Sequence, residues 1–352
     1  MNDTILNPRQ IQILDLFKKI DELSRTKISG LISTKKPYSK ITLIRDLNEL
    51  IDKGYIAQVG KGRSTTYQLK EKNKLLHFVS LNTYFNPANW DRKAQTNYNP
   101  HIFNDLHSLF TEDEKNLLGK QASHLKSAIS KLDPTIYQRE LERLVIEFSW
   151  KSSQIEGNTY DLLETETLIK QKIEAKGHTK EEATMILNHK DAFTTILDNA
   201  LSFRKLTLSD VMQLHSVLTH DLYISTGIRI QRVGISGTDY VPMSDKTSLK
   251  DALEQTIVAI NKADFPPEKA LIASSMIAYV QPFSDGNKRT SRMLANALLI
   301  AHDYFPLSYR SIEVDEYKKA MILFYEQNNM YHLKRIFMEQ MQFSVENYFK
   351  EK

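Results

Sequence analysis

The stretch Gln281–Arg292, reading QPFSDGNKRTSR, constrains this chain more than any other, because it crowds a proline, a carboxylate, a Gly-Asn turn and three cations into twelve positions. The apolar run Ala270–Val280 precedes it and Met293–Ala301 follows, and both read as buried helices. A polar segment held between two core helices must be a loop whose shape the core imposes. Pro282 disfavours helix at Gln281, and Asp285, Gly286 and Asn287 favour a turn whose successive N–H groups converge on an anion. Lys288, Arg289 and Arg292 fall in the first turn of the next helix, where the macrodipole disfavours positive charge unless an anion sits there. Arg289 and Arg292 share a helix face and suit a two-armed clamp on a polyphosphate. A lone carboxylate beside such a nest, Asp285, suits a Mg2+ ion bridging two phosphates.

The segment resembles the signature of the Fic/Doc family, HPFxDGNKRxxR in one common form, at every fixed position except the first. In that family the first residue is a histidine, the general base for a target hydroxyl that attacks the α-phosphate of ATP, so that AMP is transferred and pyrophosphate leaves. The resemblance implies ATP and Mg2+ as ligands. It makes Phe283 a core anchor and Asp285 the metal ligand. It places Ser284, Gly286, Asn287 and Lys288 around the phosphates, with Arg289 a catalytic phosphate contact and Arg292 the γ-phosphate contact. The base position is occupied by Gln281. An amide nitrogen has its lone pair delocalised, so glutamine can orient a hydroxyl but not deprotonate it, and losing a positioned base costs about 10²- to 10⁴-fold in rate. ATP binding is expected to survive and AMP transfer to be severely weakened.

Upstream, Tyr137–Ile155 has helical periodicity and stops at Gly157 and Asn158. Ser152 and Glu156, four apart, share a face at its end. SSQIEGN is similar to the family's inhibitory motif, [ST]xxxE[GN], on the N-terminal side of the core as in the self-inhibited class. That resemblance implies an inhibitory helix around 137–158, with Glu156 pairing with Arg292 where a γ-phosphate would sit.

Further helices are expected over Tyr160–Lys172, Lys180–Leu201, Ser209–Asp221, Val314–Gln327 and Tyr331–Phe349. His215, on a mostly apolar helix, reads as packed. Gly227–Met243, GIRIQRVGISGTDYVPM, mixes β-prone residues with turn formers and predicts a hairpin. By resemblance this is the flap whose residues Ile235, Ser236, Gly237 and Thr238 pair with an extended segment of a target protein. Tyr317 resembles an aromatic lining the adenine pocket.

The first 74 residues carry fifteen Lys and Arg against eight Asp and Glu, leaving 32 against 35 for the rest, so the basic excess is N-terminal. Asn7 with Pro8 opens one helix, a second is expected around Lys27–Leu31, and Ser39 caps a third with Ile41, Ile44, Leu47, Leu50 and Ile51 as its apolar stripe. Extended runs Tyr55–Val59 and Ser64–Leu69 flank a Gly60–Arg63 tip. This order resembles a winged helix-turn-helix, which implies DNA contact through Ser39, Lys40, Thr42 and Arg45 on the third helix and Lys61 and Arg63 on the wing. Residues 75–105 read as a connector that packs through Tyr84, Phe85 and Trp90.

The chain has 352 residues, 41% of them hydrophobic, and no cysteine, which excludes disulfides and thiolate metal sites. It shows no membrane span and no signal peptide, so a cytoplasmic location is expected. The resulting expectation is a mainly α protein: a small α+β winged-helix domain over 1–74, the connector 75–105, and an all-helical Fic fold over 106–352 with a short β-hairpin flap. Its expected function is AMP transfer to a protein hydroxyl, on an unidentified protein or on itself, autoinhibited and impaired by Gln281. The alternative is an inactive nucleotide-binding transcriptional regulator. Pairing with a second copy is a further expectation of the self-inhibited class.

Overall fold

The structure, a computed structural model, describes residues 6–17, 20–32, 38–86, 92 and 94–349, without the side chain of Arg63. Trp90 and that arginine side chain therefore lie outside the described residues. The chain divides into two compact units, Met1–Lys93 with Asn329–Tyr331, and Ala94–Asn328 with His332–Lys352.

In the first unit α1 (Pro8–Phe17) starts where the Asn7 side chain accepts from the amides of Arg9 and Gln10, each at 3.0 Å. Then come β1 (Leu23–Ser24), α2 (Arg25–Ile32) and α3 (Lys40–Asp52), followed by β2 (Ile56–Val59), β3 (Thr66–Leu69) and the short α4 (Leu81–Tyr84). The strands form an antiparallel sheet of order β1-β3-β2. Gly60 turns the chain out of β2 at φ +77°, where a Cβ would meet Ser64 O at 2.8 Å, so this corner requires glycine. The sheet and helices enclose Ile13, Leu14, Phe17, Leu23, Ile28, Leu47, Leu50 and Ile56. Strand β1, two residues long, is too short to carry a periodic signal in the sequence.

Helix α3 is rotated from its expected stripe. Leu43, Asp46, Leu47 and Leu50 face the core, while Ile41 is 81% exposed. The cause is Asp46, a buried carboxylate that pairs with the Arg9 guanidinium, Nη2 to Oδ1 at 2.9 Å, and accepts from Asn7 Nδ2 at 3.2 Å. A charge pattern reads as a solvent face until its partner is known.

The second unit is helical: α5 (Glu112–Ile129), α6 (Pro134–Ile155), α7 (Leu162–Gln171), α8 (Lys180–Asp198), α9 (Leu208–Leu218), α10 (Lys246–Lys262), α11 (Pro266–Val280), α12 (Asn287–Ala301), α13 (Val314–Gln327) and α14 (Tyr331–Asn347). At its centre lies the α11–α12 pair, with every residue from Pro267 to Val280 buried. Helix α10 covers α11, and α6, α8 and α9 pack on α12. Thr111, Asp161, Thr179 and Thr207 close capping boxes at the starts of α5, α7, α8 and α9. Among the described residues no helix is long and apolar enough to cross a membrane.

Residues 227–243 do not form the expected hairpin; they run as an irregular loop with no ladder of their own. Arg229 is the reason. Its buried guanidinium donates to the carbonyls of Gln231 at 2.6 Å and Met243 at 2.5 Å, two acceptors that a hairpin would have used, and ties the segment to Gln281 O at 2.7 Å.

Candidate functional site

The loop between α11 and α12 begins at Gln281, which ends α11 in the left-handed region at φ 52°, ψ 56°. Pro282 forbids a further helical turn there, and Gly286 at φ 79° starts α12. Asn287 staples the loop: its Oδ1 accepts from Phe283 N at 2.9 Å, and its Nδ2 donates to Phe283 O at 2.8 Å and to Gln281 Oε1 at 2.9 Å. Phe283 is buried and stacks on His215, ring centroids 3.7 Å apart. The His215 Nε2 meets Asp285 O at 2.9 Å, so this histidine braces the loop from beneath.

The Gln281 side chain points inward. Its Nε2 donates to Ala278 O at 2.7 Å while Oε1 takes the Asn287 amide, so both ends are engaged in closing α11. It is neither a base nor, in this arrangement, free to orient a hydroxyl.

Arg292 is fully buried, and each of its nitrogens is held by the end of α6. Nε donates to Ser152 Oγ at 3.0 Å, Nη2 to Ser152 O at 2.9 Å and Nη1 to Glu156 Oε1 at 2.9 Å. The other Glu156 oxygen accepts from Lys288 Nζ at 3.1 Å. Burial alone would push the Glu156 pKa up, but the Arg292 and Lys288 charges outweigh it and bring it down to about 2. The two motifs that the sequence pairs are therefore joined side chain to side chain.

The sequence reading missed His189. Its Nδ1 lies 2.8 Å from Met185 O, which can only accept, so Nδ1 carries the proton and Nε2 receives the Ser152 hydroxyl at 2.9 Å. Burial and then the Arg289 and Arg292 charges lower its pKa to about 3, keeping it neutral. Hydrogen bonds thus run in one direction, from Arg292 through Ser152 to His189. A histidine in an apolar helix carries no pattern that reveals this role.

Arg289 and Arg292 share a helix face without forming an open clamp. Arg289, 2% exposed, reaches Leu218 O at 3.4 Å and Asp285 Oδ2 at 3.3 Å, away from Glu156. The Asp285 side chain is 71% exposed, and its Oδ1 accepts from Gly286 N at 2.6 Å. One accessible carboxylate fits Mg2+ held chiefly by phosphates and water; among the described residues no group of three metal-ligating side chains gathers. Ser284 Oγ donates to Ser225 O at 3.4 Å. Tyr317 is buried beside Arg292 and lines a void of about 10 Å³ with Ser274 and Tyr309, too small for a purine as it stands. A cavity of about 970 Å³ lies elsewhere, beside α10, and shares no residue with the loop. Among the residues expected to form the flap, Thr238 Oγ1 donates to Glu326 Oε1 at 2.8 Å, Gly237 turns at φ 83°, Ser236 is exposed and Ile235 half-buried.

Residues 205–299 match the model of the Fic/DOC family, and the chain carries a domain of that family. It is 31% identical over 187 residues to protein adenylyltransferase Fic of Aedes aegypti, covering 51% of this chain and 37% of that protein. Against the protein of the same name from Nematostella vectensis it is 25% identical over 185 residues, 51% of this chain and 43% of that one. The chain thus spans about two fifths of the length of these curated relatives. Among solved structures it resembles Fic-1 (residues 134–508) of C. elegans with TM-score 0.53 at 17% identity, over 66% of this chain and 71% of that one. A Fic domain containing signaling protein from Bacteroides thetaiotaomicron gives 0.52 at 18%, over 66% of this chain and 99% of that one. At such identities the likeness is one of fold: the second unit is a mainly helical Fic fold.

Two outcomes follow from this geometry. Arg229→Ala frees three carbonyls and loosens 229–243, so hydrogen exchange there should accelerate at least tenfold while α11 stays protected; unchanged exchange would remove Arg229 from its role as staple. Because the folded pKa of Glu156 lies below its ordinary 4.5, its contribution is fully present above about pH 4.5 and lost as pH falls towards 2. Glu156→Gln should therefore cost about 2 kcal/mol in denaturant unfolding at pH 7, with the difference from the native chain shrinking below pH 4.5. A difference that stays constant into acid would contradict the ion pair.

Proposed function

We propose that this chain is built to transfer AMP from ATP to a hydroxyl side chain of a protein, in a form held off by Glu156 and impaired at Gln281. The observation that carries the reading is the buried Arg292 with all three nitrogens taken by Ser152 and Glu156. A buried guanidinium needs an anionic partner, and a γ-phosphate is the alternative anion for one placed at the start of α12. Glu156 and phosphate exclude one another there by charge and space.

In this reading Asp285 and Mg2+ would hold the phosphates, and the ion would screen charge on the leaving pyrophosphate. Gly286, Lys288 and Arg289 would line the phosphate path, and Tyr317 the adenine side once its void opens. Ser284 and Asn287 serve chiefly by shaping the loop. The target hydroxyl would attack the α-phosphorus, the bond to the bridging oxygen of pyrophosphate would break, and the hydroxyl proton would need an acceptor that Gln281 does not provide. The flap residues Ile235, Ser236, Gly237 and Thr238 would present the target.

A second reading, a nucleotide-responsive DNA-binding regulator, is favoured by the inward Gln281 amide and by the first unit. We read that unit as a winged helix whose α3 presents exposed Lys40, Ile41 and Arg45 behind the Ser39 cap, with Thr42 partly exposed and Lys61 on the wing. Cations suit phosphates and the isoleucine suits thymine methyl groups.

With Mg2+ and α-labelled ATP, Gln281→His should give label on protein where the native chain gives about 10²-fold less. Adding Glu156→Gly should raise it further. Label absent from both variants, with ATP bound in calorimetry, would transfer support to the second reading. Duplex DNA should bind with an affinity falling steeply with salt, and Lys40→Ala with Arg45→Ala should flatten that slope by about two; no duplex binding at low salt would exclude this role.

A further inference from the structure

Residues 227–243 make one β-type pairing, and they make it with their own chain. Val241 N donates to Thr96 O at 2.9 Å, and Asn97 and Val241 form a parallel bridge. The segment 94–99 is also held by Gln95 N on Glu326 O at 2.8 Å, Asn99 N on Tyr279 Oη at 2.9 Å and Asn99 Nδ2 on Asn328 Oδ1 at 2.9 Å. The buried Glu326 serves both sides, since its carboxylate accepts from Thr238 Oγ1 at 2.8 Å and from Asp239 N at 3.4 Å. One residue therefore positions the flap and the segment lying along it.

The pairing is shallow. Thr96 and Asn97 are exposed, Val241 is 57% exposed, and the bridge is a single residue wide. Tyr98 packs on Tyr279 with centroids 5.1 Å apart, but its hydroxyl is buried without a partner, a desolvation cost that release of the segment would recover. Pairing of main chain with main chain accepts any extended backbone of matching direction. Residues 94–99 thus do to this edge what an extended segment of another protein would have to do.

We propose that residues 94–99 are a built-in occupant of the flap edge, and that an extended segment of a partner protein docks by displacing Thr96 and Asn97 from Val241. This rests on the reading of 227–243 as the edge that receives a target. The occupant follows the N-terminal unit directly in sequence, so binding at that unit has a covalent route to the edge.

The chain has no cysteine, so Asn97→Cys with Val241→Cys provides one reversible lock, and paired strand positions lie within disulfide reach. The probe is a fluorescent peptide of residues 94–102, AQTNYNPHI, read by anisotropy. The reduced double variant, and Tyr98→Ala, should bind it at least tenfold more tightly than the oxidised lock. Equal binding by locked and reduced protein, or no binding to either open form with unfolding curves like the native chain's, would overturn the proposal. Hydrogen exchange of the native chain is independent of folding defects in variants: the Val241 and Gln95 amides should both be protected, and in excess peptide Gln95 should lose its protection while Val241, then paired with the peptide, keeps its own; an unprotected Val241, or a Gln95 amide unaffected by the peptide, would also overturn it. The assay uses neither nucleotide nor transfer, so its failure and a failure of Gln281→His to label protein are separate results.

Discussion

A guanidinium with no access to water must be neutralised or the site does not form. Arg292 is placed in that position by α12, whose residues are almost all buried, and the end of α6 supplies a serine carbonyl, a serine hydroxyl and a carboxylate. Removing a charge from water costs several kcal/mol, which the pairing has to offset. The cost explains why the contact is so complete. A partner satisfying fewer of the three nitrogens would leave α12 unstable where it enters the loop.

In the proposed reading the same demand gives the site two alternative occupants. Phosphate and Glu156 are both anions with several acceptor oxygens, and Arg292 can be satisfied by either. The His189–Ser152 link orients Ser152 for its contact with Arg292. A neutral imidazole fixed by Met185 O accepts the serine proton, and the serine oxygen is then turned to receive Arg292 Nε. The arrangement is set by polarity as well as by charge, since reversing the Ser152–His189 bond would leave an unprotonated Nδ1 facing the Met185 carbonyl, acceptor against acceptor.

Around this centre, the loop is held by contacts that a catalytic reading of the motif does not foresee. Asn287 and Gln281 close the end of α11, His215 supports the loop through Phe283 and Asp285, and Arg229 ties residues 227–243 to Gln281 O. Gln281, expected from the resemblance at the position of a base, behaves as a cap. Its amide can donate to Ala278 and accept from Asn287 at the same time, which a single imidazole could match only in one tautomer.

The linear order of residues determined the helical core and the position of the polar loop between two apolar runs, because these rest on local periodicity and turn chemistry, while the pairing of SSQIEGN with the second arginine was implied by the resemblance to the Fic family's inhibitory motif. It also located the basic excess and the start of α3. The tertiary structure decided what depends on partners distant in the chain: that Asp46 turns inward to Arg9, that Arg229 replaces a hairpin with a staple, that His189 orients Ser152, and that Asn97 lies on Val241. A hydrogen-bonding group carries the same letter whether its partner is water or a carbonyl a hundred residues away. Which of the two it meets is settled by how the helices pack.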